Sequence, residues 1–285
     1  MFKKTILAFG FISGLWINSH AQQGITITGY VSDENSGETL ISANVAILEL
    51  NRGSATNTLG YFSIPNIEPG TYTIACSYIG YDLFTQEISL KPGENLRFDI
   101  KLKPSVFEGE EIVVESEAEL QELKTIGTAQ VKTELIKALP AIFEADVFRS
   151  IQYLPGVKSA SDFSSGLYIR GGSPDQTLIM LDQTTVYNPS HFFGFFSTFN
   201  PDAIKDVRLF KGGYPAEYGG RLGSVLSVYN KDGNRNNYQG TVTLGMLASR
   251  AAIEGPIKNG SFMLAGRRST LEPLLAALRQ NTENI

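Results

Sequence analysis

The sequence predicts a mainly β protein with an α+β second domain, and three patterns along its 285 residues support this class. Residues 24–103 are short alternating runs of apolar and polar residues between clusters of Gly, Pro, Asn and Asp, which is typical of an antiparallel β-sandwich. Residues 126–230 combine a helical stretch with several strands, which predicts an α+β domain. Residues 238–285 begin with a further alternating pattern.

In the first domain, the clearest strand is the run from Leu96 to Leu102, whose even-numbered residues are apolar and whose odd-numbered residues are charged. This alternation places the apolar set on an inner face of the sandwich. The run Tyr72–Tyr78 places Cys76 on the same face as Ile74, which predicts a buried, unreactive thiol. Because Cys76 is the only cysteine, an intrachain disulfide is excluded.

The second domain is predicted to contain a helix over about 144–154, ended by Pro155-Gly156. Strands are expected at 167–170, 178–181, 185–187 and 204–210, so the sheet is mixed with small helices. Basic residues alternate with carboxylates in this part of the chain and are expected to face either solvent or a polar barrel lumen; they are Arg170, Lys205, Arg208, Lys211 and Arg221.

The N-terminus has the pattern of a secretory signal peptide over residues 1–21. Lys3 and Lys4 precede an apolar stretch over 5–17 that is too short to span a bilayer, and Ser19-His20-Ala21 supplies small residues at the cleavage positions. A membrane anchor is the alternative. The mature chain is therefore expected to be exported.

Composition and motifs argue against several classes of function. The net charge of −5 disfavours a nucleic-acid partner, because phosphate binding needs a clustered basic surface. His191 is the one histidine after the signal peptide, so neither a His-based nor a Cys-rich metal site is expected. The sequence has no nucleophile elbow, phosphate loop or dinucleotide fingerprint. We therefore expect no metal, no cofactor and no enzymatic activity.

Several motifs of the first domain resemble the carboxypeptidase-regulatory-like domain, a transthyretin-like β-sandwich found at the N-terminus of outer-membrane receptors. They are Gly29-Tyr-Val-Ser-Asp33, Gly37-Glu-Thr-Leu40, Ala43-Asn-Val45, Thr58-Leu-Gly-Tyr-Phe-Ser-Ile64 and Pro69-Gly-Thr-Tyr-Thr-Ile74. The resemblance covers residues 24–103 and implies no peptidase activity. It implies a docking or structural module, with carbohydrate binding as the alternative.

The ordered motifs of the second domain resemble the plug domain of TonB-dependent outer-membrane receptors, over residues 126–230. They are Tyr168-Ile-Arg-Gly-Gly172, Leu178-Ile-Met-Leu-Asp182, the segment from Pro201 to Gly212, Tyr214-Pro-Ala-Glu-Tyr-Gly-Gly220 and Gly223-Ser-Val-Leu-Ser-Val228. Two positions depart from the family pattern. Gln183 follows Asp182 where glycine is usual, and Ser224 follows Gly223 where a second glycine is common.

The last part, residues 238–285, resembles the first strands of a transmembrane β-barrel, because Val242, Leu244 and Met246 alternate with small or polar residues. A plug of this family is housed in a barrel of about 22 strands. We therefore expect the chain to be the N-terminal part of a receptor truncated before most of an incomplete β-barrel.

Two segments are candidate binding sites. Within the linker over 104–125, Glu110, Glu111, Ile112, Val113 and Val114 resemble the TonB box of these receptors, a short β-prone segment that can add to a partner's sheet edge. The alternatives are a last strand of the sandwich or a plain linker. An aromatic loop is the candidate ligand-facing segment, with core or barrel-wall packing as its alternative; its residues are His191, Phe192, Phe193, Phe195 and Phe196.

Together the resemblances imply the N-terminal extension and plug of a SusC/RagA-like receptor for energy-coupled uptake of a glycan, peptide or chelate. The implied partners are a TonB-type inner-membrane energy transducer, the outer membrane, a surface lipoprotein and an unknown ligand. The first two domains are expected on the periplasmic side. The alternative is an autonomous periplasmic binding or interaction protein that uses the β-sandwich.

Overall fold

The computed structural model describes residues 24–105, 128–131, 136, 145–159, 165–191, 194, 196–245 and 248–269. The predicted signal peptide, the candidate TonB box at 110–114, Phe192, Phe193 and Phe195 lie outside the described residues.

Two sheets form the first domain, and their strands are β1 (Ile25–Asp33), β2 (Asn44–Ile47), β3 (Arg52–Ala55), β4 (Tyr61–Ile67), β5 (Gly70–Ser77), β6 (Phe84–Leu90), β7 (Leu96–Arg97) and β8 (Ile100–Leu102). One sheet has the order β4-β1-β7 with β8 also paired to β1, and the other has the order β3-β2-β5-β6. The inner faces bury a contiguous aliphatic core that includes Ile27, Ile47, Phe62 and Ile74. The predicted sandwich class is therefore confirmed.

The run 96–102 differs from the expected single antiparallel strand. It forms the short strands β7 and β8, and both pair with β1 in parallel. Between them the Asp99 carboxylate accepts the backbone N–H of Tyr30 at 3.0 Å, in place of a backbone carbonyl. At this point β1 carries Gly29, where a Cβ would lie 1.9 Å from the carbonyl oxygen of Phe98. The glycine therefore permits a close backbone approach that a side chain would block.

Cys76 lies on β5 and is fully buried in the sandwich core together with Ile74, as predicted. Burial raises the pKa of its thiol to about 12, because the thiolate would lose its hydration. The thiol is therefore protonated at physiological pH and behaves as a small apolar side chain.

The second domain is built from β9 (Thr128–Val131), α1 (Val147–Gln152), β10 (Val157–Lys158), β11 (Tyr168–Ile169), β12 (Thr177–Leu181), β13 (Thr184–Thr185), β14 (Ser190–His191), β15 (Phe196–Ser197), β16 (Ile204–Phe210) and β17 (Ser224–Asn230). Its main sheet has the order β13-β12-β17-β16-β9. The β12–β17 pair is parallel and the other pairs are antiparallel, so the predicted mixed sheet is confirmed. Val147, Phe148 and Ile151 of α1 pack into the core below it.

The turn between β12 and β13 shows why glycine is usual in the family at the position that Gln183 occupies here. Asp182 and Gln183 have φ values of 46° and 66°, so both central residues of this hairpin turn are left-handed. Glycine is favoured there because a Cβ is strained in this conformation. The Asp182 carboxylate accepts hydrogen bonds from the backbone and side chain of Asn230, at 2.9 and 2.8 Å, and so holds the turn against β17.

The last three strands are β18 (Gln239–Leu244), β19 (Ala248–Ile257) and β20 (Gly260–Ser269), an antiparallel meander. By the pairing register, one face carries the exposed side chains of Val242, Leu244, Ile253 and Leu264. In the described part of the chain, the meander is joined to the second domain by the buried ion pair Asp202–Arg250 and to the residue after β17 by the pair Lys231–Glu254. The barrel expected over 238–285 stays a prediction. Among the described helices, none is long and apolar enough to cross a membrane.

Candidate functional site

The candidate TonB box lies outside the described residues, and the structure describes the residues at both ends of the segment that carries it. The chain leaves the sandwich at Ser105, whose N–H donates to the carbonyl of Gly80 at 2.9 Å. It is described again from Thr128, the first residue of β9. Among the described strands of the main sheet, β9 stands at one edge and pairs with β16. The segment over 106–127 therefore joins the sandwich directly to the edge of the second domain's sheet.

The described part of the aromatic loop is a short hairpin in which His191 of β14 pairs with Phe196 of β15. His191 is exposed, whereas Phe196 is only 4% exposed. The guanidinium of Arg267, on β20, lies 5.5 Å from the centre of the Phe196 ring. Phe196 therefore packs between this hairpin and the meander. Ligand contact by the loop stays a prediction for its five residues, His191, Phe192, Phe193, Phe195 and Phe196.

A buried carboxylate fixes the base of this hairpin. Asp146 caps α1 by accepting the N–H groups of Phe148 and Arg149 with Oδ1, at 2.9 and 3.2 Å. Its Oδ2 accepts both the N–H and the hydroxyl of Ser197, at 2.7 and 2.6 Å. One side chain therefore joins the start of α1 to β15.

The most extensive polar site in the described residues lies where the sandwich meets β9 and β16, and we call it the junction. At its centre is Arg208 of β16, whose Nε and Nη2 both contact Oδ2 of Asp206 at 2.6 Å. The same guanidinium donates across to the sandwich, to the carbonyl of Ile41 at 2.6 Å and to the hydroxyl of Ser42. Asp206 is 2% exposed, so this charge-assisted pair is shielded from water.

Gln130 of β9 makes the second junction contact. Its side-chain amide donates to Oδ1 of Asp206 at 2.7 Å and to the phenol oxygen of Tyr78, in the sandwich, at 2.9 Å. Burial is the main cause that raises the pKa of Tyr78, and the nearby Asp206 carboxylate adds to it. Tyr78 is therefore neutral at any physiological pH and serves as a hydrogen-bond partner.

A third contact uses Lys205, also on β16. Its ammonium lies 2.5 Å from the Asp232 carboxylate and 3.8 Å from the Glu38 carboxylate of the sandwich. Glu38 also accepts the backbone N–H of Asp232 at 2.6 Å. Burial raises the pKa of Glu38 above its usual 4.5, although the charge of Lys205 acts in the opposite direction.

The turn after β1 completes the junction. Ser36 accepts the backbone N–H of Arg235 at 2.7 Å, and the Asn236 side chain donates to the carbonyl of Asn35 at 2.8 Å. Gly37 has φ +69°, and a Cβ there would lie 3.2 Å from Cβ of Arg235. These contacts bring the sandwich turn against the loop that precedes β18.

A cavity of about 660 Å³ remains between the sandwich, the second domain and the meander. Its lining includes carboxylates and ammonium groups from all three parts, among them Glu38, Lys205, Lys231 and Glu254. In the described part of the chain, no group of three or more His, Cys, Asp or Glu side chains is placed to hold a metal ion. The junction is thus a set of polar contacts between domains.

Sequence reasoning did not find the junction. It expected Lys205 and Arg208 to face solvent or a barrel lumen, whereas both contact the sandwich. The available signal was Asp206, a carboxylate close to Lys205 and Arg208 in a strand whose other four residues are apolar. A charged group in such a position is seldom buried without a partner, so the pattern indicates a polar contact but does not identify which segment supplies it.

Comparison with known families agrees with both sequence resemblances. Residues 27–114 match the CarboxypepD_reg-like domain, and residues 123–225 match the TonB-dependent Receptor Plug Domain. The first match extends through 110–114, so the candidate TonB box lies within its C-terminal end. The junction described above lies between the two matched domains.

Comparison with individual proteins gives distant relatives. The chain is 24% identical over 242 residues to the TonB-dependent transporter Oar of Myxococcus xanthus, covering 81% of this chain and 22% of that protein. Among solved structures, the siderophore receptor PirA from Pseudomonas aeruginosa is 22% identical with a TM-score of 0.39, over 50% of this chain and 27% of that one. A putative carbohydrate binding protein from Bacteroides uniformis is 19% identical with a TM-score of 0.25, over 29% of this chain and 42% of that one.

Proposed function

Because this chain carries a plug domain behind a CarboxypepD_reg-like domain, it belongs to the TonB-dependent receptors, and we propose that it takes part in energy-coupled uptake of a nutrient. The family consists of transport proteins, which agrees with the expectation that the chain is not an enzyme. The chain spans 22% of the length of its relative Oar. The uptake activity of a whole receptor is therefore proposed for this chain and is not transferred from that relative.

The proposed coupling element is the segment Glu110, Glu111, Ile112, Val113 and Val114. An extended segment rich in β-branched residues can add to the exposed edge of a partner's sheet, and the main-chain hydrogen bonds then supply much of the grip. The segment lies between Ser105 of the sandwich and Thr128 of β9, so a partner bound there is connected through the chain to the plug's edge strand. The partner is a TonB-type inner-membrane energy transducer.

The experiment measures binding of the full-length chain to the periplasmic C-terminal domain of the TonB-type protein from the same organism. Val113→Pro removes an N–H donor and restricts the backbone, so we expect binding to be lost. Ala118→Pro, in the same linker but outside the candidate segment, is the matched control and should bind as the unmodified chain does. Circular dichroism and thermal melting of both variants check that the two domains remain folded.

Two outcomes count against the coupling element. If Val113→Pro binds as well as the control, the TonB box is not at this position. If Ala118→Pro loses binding equally, the linker as a whole is needed and the five residues have no special role.

We further propose that the receptor lies in the outer membrane with the sandwich and plug on the periplasmic side, that a surface lipoprotein assists it, and that the nutrient is a glycan, a peptide or a chelate. The family assignment supports the outer membrane. Cell fractionation tests the location, and recovery of the chain in the soluble periplasm alone would contradict it. Growth of a deletion strain on single glycan, peptide and iron-chelate sources tests the ligand class.

A further inference from the structure

The junction contacts converge on one pair of strands in the plug. Gln130 of β9 and Arg208 of β16 are direct partners in the β9–β16 ladder. Both side chains reach the sandwich, Gln130 at the phenol oxygen of Tyr78 and Arg208 at Ile41 and Ser42. The sandwich therefore contacts both strands of the ladder that, in the described part of the chain, attaches β9 to the plug.

We propose that a set of contacts between the β-sandwich and the plug, which we call the clasp, holds β9 in the plug sheet. Undocking of the sandwich would then allow β9 to separate from β16. The clasp is defined by Ile41, Ser42 and Tyr78 of the sandwich with Gln130 and Arg208 of the plug. Its regulatory meaning rests on the proposed function, because β9 follows the linker that carries the candidate TonB box.

Among the described residues, β9 has few other contacts. It is four residues long, it pairs with no described strand other than β16, and Val131 is the one of its four residues that is buried. Short edge strands with few buried apolar contacts open most readily by local fluctuation. The hydrogen bond of Gln130 to Tyr78 and the anchoring of Arg208 therefore make a large relative contribution to the protection of this strand.

The sandwich side of the clasp is rigid. The hydroxyl of Thr56 accepts the N–H of Ala43 at 2.8 Å and donates to the carbonyl of Leu40 at 2.6 Å, and Thr56 itself is 2% exposed. Ser42 is held in a left-handed conformation with φ 52°. A non-glycine residue in this conformation persists where its surroundings fix it. The turn therefore presents the Ile41 carbonyl and the Ser42 hydroxyl to Arg208 in one arrangement.

The clasp also joins the two domains that flank the predicted linker. Residues 106–127 run from the sandwich at Ser105 to the plug at Thr128, and the clasp joins these two bodies. A partner that pulls on the linker consequently loads the clasp as well as β9. The sandwich would thereby determine how readily β9 separates from β16.

The test is amide hydrogen exchange of the full-length chain without any partner. The variant Tyr78→Phe/Ser42→Gly removes both sandwich side-chain partners while leaving the plug unchanged. We expect exchange of the amides of residues 128–131 to accelerate about tenfold or more, since each lost hydrogen bond contributes severalfold. Exchange in β1 and β5 should not change.

The matched control is Tyr30→Phe/Asn66→Gly. It removes one sandwich hydroxyl and replaces one non-glycine residue of positive φ, 60° at Asn66, away from the junction. Exchange of 128–131 in this control should match that of the unmodified chain. Unchanged exchange in the Tyr78→Phe/Ser42→Gly variant, or equal acceleration in the control, overturns the clasp.

If the double variant fails to fold, the single variant Tyr78→Phe removes the Gln130 contact from the sandwich side and leaves the bond of Gln130 to Asp206 in place. Severalfold faster exchange at 128–131 is expected, and unchanged exchange again overturns the proposal. Because no TonB-type protein is present in these measurements, failure of the clasp and failure of the proposed coupling element are separately visible.

Discussion

Asp146 offers the sharpest test of how the plug is held together, because one buried carboxylate performs two separable tasks. It caps α1 through Phe148 and Arg149, and it bridges to Ser197 at the base of the aromatic hairpin. Asp146→Ala removes both tasks. Asp146→Ser keeps a hydroxyl at the cap position, but its shorter side chain cannot also reach Ser197.

The two tasks have different magnitudes. Loss of an N-cap costs about 0.5–2 kcal/mol. Ser197 is fully buried, so its N–H and hydroxyl lose their partner without access to water, which costs about 1–3 kcal/mol. Asp146→Ala should therefore lower the local free energy of opening by roughly 1.5–5 kcal/mol. Asp146→Ser should lower it by the bridge contribution alone, about 1–3 kcal/mol.

Amide exchange resolves the two tasks residue by residue. In Asp146→Ala the amides of 148, 149 and 197 should all exchange faster, and in Asp146→Ser the increase should be confined to 197. Asp175→Ala is the control, because Asp175 is an exposed carboxylate bonded to the hydroxyl of Ser173, and it should leave these amides unaffected. Retained protection of the Ser197 amide in Asp146→Ala would refute the bridge.

Three further predictions concern single positions. Gly29→Ala should destabilise the sandwich by about 1–3 kcal/mol, since its Cβ would meet the Phe98 carbonyl oxygen at 1.9 Å. Urea unfolding measures this, and an unchanged free energy of unfolding would contradict the close approach. Gln183→Gly should raise the melting temperature, because it relieves a left-handed turn residue by about 1 kcal/mol; a lower melting temperature would show that the Gln183 side chain makes a stabilising contact. Burial raises the pKa of Glu38 in the folded chain, so protonated Glu38 contributes stability that is full below pH 4.5 and is lost as the pH rises through the raised pKa. The free energy of unfolding, measured from pH 4.5 upward, should therefore fall with pH, and Glu38→Gln should abolish this pH dependence. A free energy of unfolding that rises with pH would mean that the charge of Lys205 outweighs burial.

The sequence determined those features that depend on local periodicity and turn chemistry. The alternation of 96–102 correctly predicted which residues face the core, with Ile100 and Leu102 almost fully buried. The apolar spacing around Val147 and Ile151 located α1, and the position of Cys76 on an alternating strand predicted its burial. Such patterns are read from neighbouring residues, because the periods of strand and helix repeat within a few positions.

Which strands pair and which side chains meet follows from long-range contacts that no local pattern encodes. The alternation of 96–102 has the same form in a parallel as in an antiparallel pair, so the parallel pairing of β7 and β8 with β1 could not be read from it. Arg208 and Ser42 are 166 positions apart in the chain, and Gln130 and Tyr78 are 52 apart. Local patterns show that a residue such as Asp206 needs a polar partner when it is buried. The choice of that partner depends on how the two domains dock, which is a property of their surfaces in three dimensions.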